Sequence, residues 1–188
     1  LKLIEPTEGD IIFRDESIIR KNKKQMVALR KDMQMVFQNP YSSFNPKQTL
    51  KKALMDVAKF YGMKDEEAKK KIYELLQYVN LDPSLLSRRS GELSGGQLQR
   101  LAIVRALIPN PSFIMADEPV SALDVSVQAQ ILNLLYDMKN QFGLTLMFIS
   151  HELTVVEHIC DRVLVMYLGA MVEIGVTEEI FDNTMHPY

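Results

Sequence analysis

Two short apolar runs constrain this chain more than any other feature in it. Ser112-Phe113-Ile114-Met115-Ala116 stops abruptly at Asp117-Glu118, and the run over residues 144–149 stops at Ser150-His151. Runs of this length are too short for a typical helix, and they lack the polar alternation of a half-exposed strand. Strands that read this way are buried on both faces, as in a parallel sheet covered by helices. Between the two runs, Ile131, Leu134, Leu135, Met138 and Phe142 recur at helical spacing until Gly143 ends the pattern. Such an alternation of strand and helix predicts an α/β domain with a mainly parallel sheet. Ligands of open parallel sheets collect at the carboxyl ends of the strands. The polar residues that close these runs are therefore the first candidates for chemistry.

The rest of the chain extends this pattern in both directions. Leu1-Lys2-Leu3-Ile4 reads as the tail of an amphipathic helix, and both termini read as cut points. After Pro6, Gly9 and Asp10, residues 9–13 are expected to form a strand, residues 23–31 a short helix and residues 33–37 a strand that stops at Gln38-Asn39-Pro40. The period then becomes helical. Leu50, Ala53, Leu54, Val57 and Phe60 share one face before Gly62, and Ile72, Leu75, Leu76 and Val79 share another over residues 65–80. A further helix starting at Ser94 carries Leu98, Leu101, Ala102 and Arg105. Late in the chain, residues 162–167 and 171–174 read as strands around a turn at Leu168-Gly169. The helical block thus interrupts two strand-rich regions. It divides the chain into a partial core (residues 1–40), a helical subdomain (41–108) and the remaining core (109–188).

Composition excludes some function classes. A formal net charge of −2 gives no support for a large nucleic-acid-binding surface. Lys69 to Lys71 lie beside Asp65, Glu66 and Glu67, and read as a solvated face. Cys160 is the sole cysteine, so no internal disulfide can form, and it reads as a small buried residue. No apolar run is long enough to span a bilayer, so any membrane role would be peripheral.

Five places carry candidate chemistry. In Leu93-Ser94-Gly95-Gly96-Gln97, a serine N-cap and two glycines would present unpaired helix N–H groups and the positive dipole end to an anion. Asp117-Glu118 closes a buried strand, where one carboxylate can help hold Mg²⁺ and the other can polarise a water. Gln38 and His151 each close a strand. Taken alone, the first reads as a solvated turn residue and the second as a hydrogen-bonding or capping group. Ser121-Ala122-Leu123-Asp124 reads as a turn in which Asp124 or Ser126 caps the next helix.

In this order, the segments resemble the motifs of ABC ATPases. Gln38 matches the Q-loop, Leu93 to Gln97 the signature sequence, Asp117-Glu118 the Walker B segment, Asp124 the D-loop and His151 the switch histidine. Three finer matches are similar to the oligopeptide and dipeptide importer branch. They are Gln38-Asn39-Pro40-Tyr41-Ser42-Ser43-Phe44-Asn45-Pro46, the stretch from Glu118 to Gln128, and the terminal His186-Pro187-Tyr188. Nickel and glutathione importers share much of this pattern, and translation or DNA-repair ABC ATPases form a further alternative.

The resemblance implies a P-loop NTPase-type core with an inserted helical subdomain, and ATP with Mg²⁺ as its ligands. Glu118 would be the base and His151 would contact the γ-phosphate. Gln38, Asp117 and Asp124 would serve the nucleotide site, with Gln38 and Asp117 holding Mg²⁺ partly through water. Ser94, Gly95, Gly96 and Gln97 would bind the γ-phosphate of ATP held by a second ATPase subunit, identical or paralogous, in a head-to-tail dimer. The other implied partners are integral membrane permease subunits at the cytoplasmic face and, indirectly, an external substrate-binding protein. Nucleic acid is not among them.

Two departures stand out. Glu152 follows the switch histidine where the family usually has Asp, which retains the carboxylate. No Gly-x-x-x-x-Gly-Lys-Ser/Thr occurs in these 188 residues. The expectation is that the chain alone is catalytically incompetent, and that the missing loop reflects a boundary rather than a property of the protein.

Overall fold

The computed structural model describes residues 1–187, so Tyr188 of the His-Pro-Tyr run lies outside the described residues. The chain separates into two compact units, Leu1–Met147 and Phe148–Tyr188.

In the first unit residues 1–4, expected to be the tail of a helix, adopt no helical structure. Lys2 takes a positive φ of 50°. The carbonyls of Leu1 and Lys2 instead accept from the Arg30 guanidinium, at 3.1 and 2.9 Å. The strand expected over residues 9–13 is also curtailed. Only Ile12–Phe13 (β1) pairs, antiparallel to Glu16–Ser17 (β2), around Arg14 and Asp15 at φ 50° and 62°. Asp10 lies outside the ladder because its carboxylate accepts from the Ser17 hydroxyl and the Ile11 N–H.

The helix Lys23–Asp32 (α1) begins with a reciprocal capping box between Asn22 and Gln25 and leads directly into Met33–Val36 (β3). β3 runs parallel to Phe113–Asp117 (β4), with Val36 opposite Ala116. Both residues are almost completely buried, as continuous apolar strands require. Thr145 opens Thr145–Ile149 (β5) and donates its N–H to the Ser112 carbonyl at 2.9 Å, on the far side of β4 from β3. This strand, expected to be buried on both faces, is not: none of its residues is fully covered, and Met147 and Ile149 are 48% and 40% exposed.

Between β3 and β4 come Leu50–Phe60 (α2, capped by Thr49), Asp65–Tyr78 (α3) and Gly95–Leu107 (α4). α3 ends before residue 80 because Asn80 turns left-handed at φ 54°. Its first turn has no side-chain cap, but Asp65, Glu66 and Glu67 face the positive end of the helix dipole there. α4 is the buried spine of the unit. Leu98, Leu101, Ile103 and Val104 are fully enclosed, and the helix packs on β3, α3 and Val125–Gln141 (α5). α5 ends where expected, with Gly143 at φ 61° just beyond its last turn.

The second unit starts with Leu153–Ile159 (α6), followed by Arg162–Tyr167 (β6), Ala170–Val176 (β7) and Thr177–Asp182 (α7). β6 and β7 form an antiparallel hairpin with an irregularity at Val165/Met166. Leu168 (φ 47°) and Gly169 (φ 80°) make the expected turn, since the favoured two-residue hairpin turns need positive φ. Val155, Val156, Ile159 and Ile180 are its buried apolar side chains. Cys160, expected to be buried, is only half-buried, because it lies just past the end of α6. His186 is held by Glu173 of β7, whose carboxylate accepts its N–H at 3.1 Å.

Candidate functional site

The register of the sheet creates the site. Val36 and Ala116 are paired, so Gln38 and Glu118 each lie two residues past the same rung of a parallel ladder. Parallel strands end on the same side, so the two side chains meet there, although 80 positions separate them in sequence. Gln38 Nε2 donates to Glu118 Oε2 at 2.6 Å and to Ser121 Oγ at 3.2 Å. Glu118 adopts a left-handed φ of 42°, which is costly for a residue with a Cβ. Its carbonyl accepts from the Ser121 N–H at 3.2 Å and the Ser121 hydroxyl at 3.1 Å. Asp117 is the last residue of β4 and precedes Glu118, so adjacent carboxylates close the strand.

The glycine motif is a capped helix start, as its sequence suggests. Ser94 Oγ accepts the Gln97 N–H at 3.3 Å, and Gln97 Oε1 accepts the Ser94 N–H at 3.1 Å. Asp124, not Ser126, caps α5. Its carboxylate accepts the Val127 N–H at 3.0 Å and the Ser126 hydroxyl at 2.9 Å. The two helix starts are packed against each other. A Cβ on Gly95 would lie 3.2 Å from Leu123 Cδ2, and one on Gly96 only 2.5 Å from Val127 Cγ1. These glycines therefore have a packing role within the chain that their motif alone did not reveal. One loop, residues 118–124, thus touches Gln38 at one end and the glycine motif at the other.

Residues after Gln38 are also tied to α4. The Tyr41 hydroxyl donates to the Leu93 carbonyl at 3.4 Å, and Arg105 Nη1 donates to the Ser43 carbonyl at 2.9 Å. Burial lowers the Arg105 pKa from its usual value. Sequence reading placed Arg105 on a helix face without finding this role, which depends on a contact 62 positions away. His151 belongs to the second unit, exposed just past β5.

Among the described residues no cluster of three or more His, Cys, Asp or Glu is arranged to hold a metal ion. The Gln38 amide nitrogen is committed to Glu118 and Ser121, which leaves its carbonyl oxygen, and the Asp117 carboxylate at the end of β4, as oxygen groups that could serve a cation. Mg²⁺ prefers oxygen ligands and keeps several waters where few protein ligands are offered.

The sequence profile of the ABC transporter family matches residues 1–121, well over half of the chain. The chain belongs to the ABC transporter family. It is 47% identical over 190 residues to the oligopeptide transport ATP-binding protein AppF of Bacillus subtilis, with all of this chain and 58% of that protein aligned. Among solved structures, cbiO1 of Clostridium perfringens, part of an ABC transporter complex, superposes with a TM-score of 0.85 at 26% identity. That match covers 96% of this chain and 71% of cbiO1. The ATP-binding cassette MJ0796, as a post-hydrolysis dimer bound to ADP and Pi, gives a TM-score of 0.80 at 28% identity, covering 93% of this chain and 76% of the cassette. These likenesses assign the domain to the P-loop NTPase-type fold of ABC cassettes. The chain spans 58% of the length of AppF.

Proposed function

We propose that this ABC chain supplies most of the ATP-hydrolysing subunit of an importer for oligopeptides or dipeptides. The observation that carries the reading is the Gln38–Glu118 junction at the carboxyl ends of adjacent parallel strands. The likeness to AppF along the whole chain supports the peptide branch. Glu118 takes the proton of the attacking water, and Gln38, bonded to it at 2.6 Å, orients the carboxylate and reports the state of the nucleotide. Asp117 and the Gln38 carbonyl would hold Mg²⁺, which when bound neutralises charge on the β- and γ-phosphates. His151 contacts the γ-phosphate.

Ser94, Gly95 and Gly96 meet the ATP of a second cassette, with Gln97 locking the helix start. Asp124 sets the start of α5 beside them. The dimeric state of a related cassette supports a head-to-tail pair. The segment from Asn39 to Pro46 and the helical subdomain, residues 41–108, face the permease. The bonds from Tyr41 to Leu93 and from Arg105 to Ser43 carry movement there into the signature helix. In this reading the subunit works peripherally, at the cytoplasmic face of the permease. Among the described residues no helix is long and apolar enough to cross a membrane.

The 188 residues contain no Gly-x-x-x-x-Gly-Lys-Ser/Thr loop, so alone they should bind Mg-ATP weakly and show no turnover. The decisive experiment uses the protein with its phosphate-binding loop in place. Glu118→Gln should lower kcat by roughly 10²-fold or more while sparing Mg-ATP binding. Hydrolysis at the wild-type rate would mean that another group is the base.

A further inference from the structure

The mechanism above leaves Ser121 unused, yet its side chain lies between the residues that matter. Its hydroxyl accepts from Gln38 Nε2 at 3.2 Å and donates to the Glu118 carbonyl at 3.1 Å. The direction of each bond follows from the groups involved. A carboxamide nitrogen can only donate, and a backbone carbonyl can only accept. The hydroxyl has one hydrogen and spends it on Glu118, leaving a lone pair for Gln38. The relay therefore runs Gln38 N–H to Ser121 O–H to Glu118 C=O, and the other bond from Gln38 Nε2, to Glu118 Oε2 at 2.6 Å, closes it into a ring.

Two consequences follow. First, both hydrogens of the Gln38 amide are committed, one to Glu118 and one to Ser121, so the amide has a single orientation with its oxygen turned away from the carboxylate. Without the Ser121 acceptor, one of the two bonds that choose between the flipped amide states is gone. Second, the left-handed backbone of Glu118 is held by two donors from Ser121. One of these, the backbone N–H, survives any substitution except proline. The hydroxyl does not.

We propose that Ser121 is a positioning residue for hydrolysis: its hydroxyl sets the orientation of the Gln38 amide and the backbone turn from which Glu118 reaches the reaction. This rests on the reading of Glu118 as base. Ser121 need not touch substrate to act in this way, and its effect should fall on kcat rather than on nucleotide binding.

The test compares steady-state hydrolysis and Mg-ATP binding in the protein carrying its phosphate-binding loop. Ser121→Ala should lower kcat about 10-fold, the upper end of what one neutral hydrogen bond contributes, with the KM for ATP changed by less than about twofold. Ser121→Thr keeps the hydroxyl and should retain most activity, whereas Ser121→Val, of the same shape without it, should match the alanine variant. This pair decides the matter if the alanine variant folds poorly. In a Gln38→Ala background the ring is already open, so Ser121→Ala should add less than about threefold. Wild-type kcat in Ser121→Ala, equal activity of the Thr and Val variants, or full multiplication of the Gln38 and Ser121 effects would each overturn the proposal. Glu118→Gln, assayed in parallel, separates the two failures. If it remains active, the base assignment fails. If it is inactive while Ser121→Ala is unaffected, only the positioning role fails.

Discussion

Gly96→Ala probes the contact between the two helix starts, and its magnitude can be worked from the packing. The added methyl would lie 2.5 Å from Val127 Cγ1, closer than real Cβ atoms approach a neighbour, so something must move. Val127 is β-branched and sits in the first turn of α5, just after Asp124, whose carboxylate accepts its N–H, so it yields little. Overpacking of this kind costs about 1–3 kcal/mol. Alanine is a better helix former than glycine by up to about 1 kcal/mol, and this offsets part of the cost. The net expectation is a loss of about 1–2 kcal/mol.

Gly95→Ala is the internal control. Its methyl would meet the flexible tip of Leu123 at 3.2 Å. The propensity gain should nearly cancel that contact, leaving stability within about 0.5 kcal/mol of wild type. Urea denaturation followed by circular dichroism measures both variants, and Val127→Ala should return most of the stability lost in Gly96→Ala. Equal effects of the two glycine substitutions, or no rescue by Val127→Ala, would refute the packing argument. The glycines would then be needed only for ligand approach.

Two further outcomes are expected. Asp124→Ala removes the α5 cap and should cost about 1 kcal/mol in the same denaturation assay, while Asp124→Ser, which still caps, should cost much less. Tyr78 has a buried hydroxyl with no hydrogen-bond partner, and its ring packs edge-on against Phe142 at 5.2 Å. Tyr78→Phe should therefore be neutral or stabilising by up to about 1 kcal/mol. Burial, followed by the nearby Asp137 charge, raises the Tyr78 pKa. The folded state then keeps a proton that the unfolded state has released. The stability from Tyr78 is thus fully present below the unfolded pKa and lost as pH rises through the folded one, a dependence that Tyr78→Phe should abolish in alkaline denaturation curves.

What the sequence determined by itself was local. The N-cap at Ser94, the stop at Gly143 and the turn at Leu168-Gly169 depend on groups within a few residues, so the order of letters suffices to read them. The resemblance to ABC ATPases was equally legible, and the family profile matches residues 1–121. Leu1-Lys2-Leu3-Ile4 carries helix-forming residue types, yet the Leu1 and Lys2 carbonyls accept from Arg30, a contact the local letters do not show. Gln99 is polar yet fully buried, because its stretch of α4 packs among β3, α3 and α5.

Only tertiary structure could decide the rest. That Gln38 reaches Glu118, that Ser121 joins them and that Gly96 yields its Cβ space to Val127 are set by the β3–β4 register and by the approach of α4 to α5. Those contacts depend on distances between segments far apart in the chain. They exist only after β3 and β4 have paired and buried Val36 and Ala116 side by side.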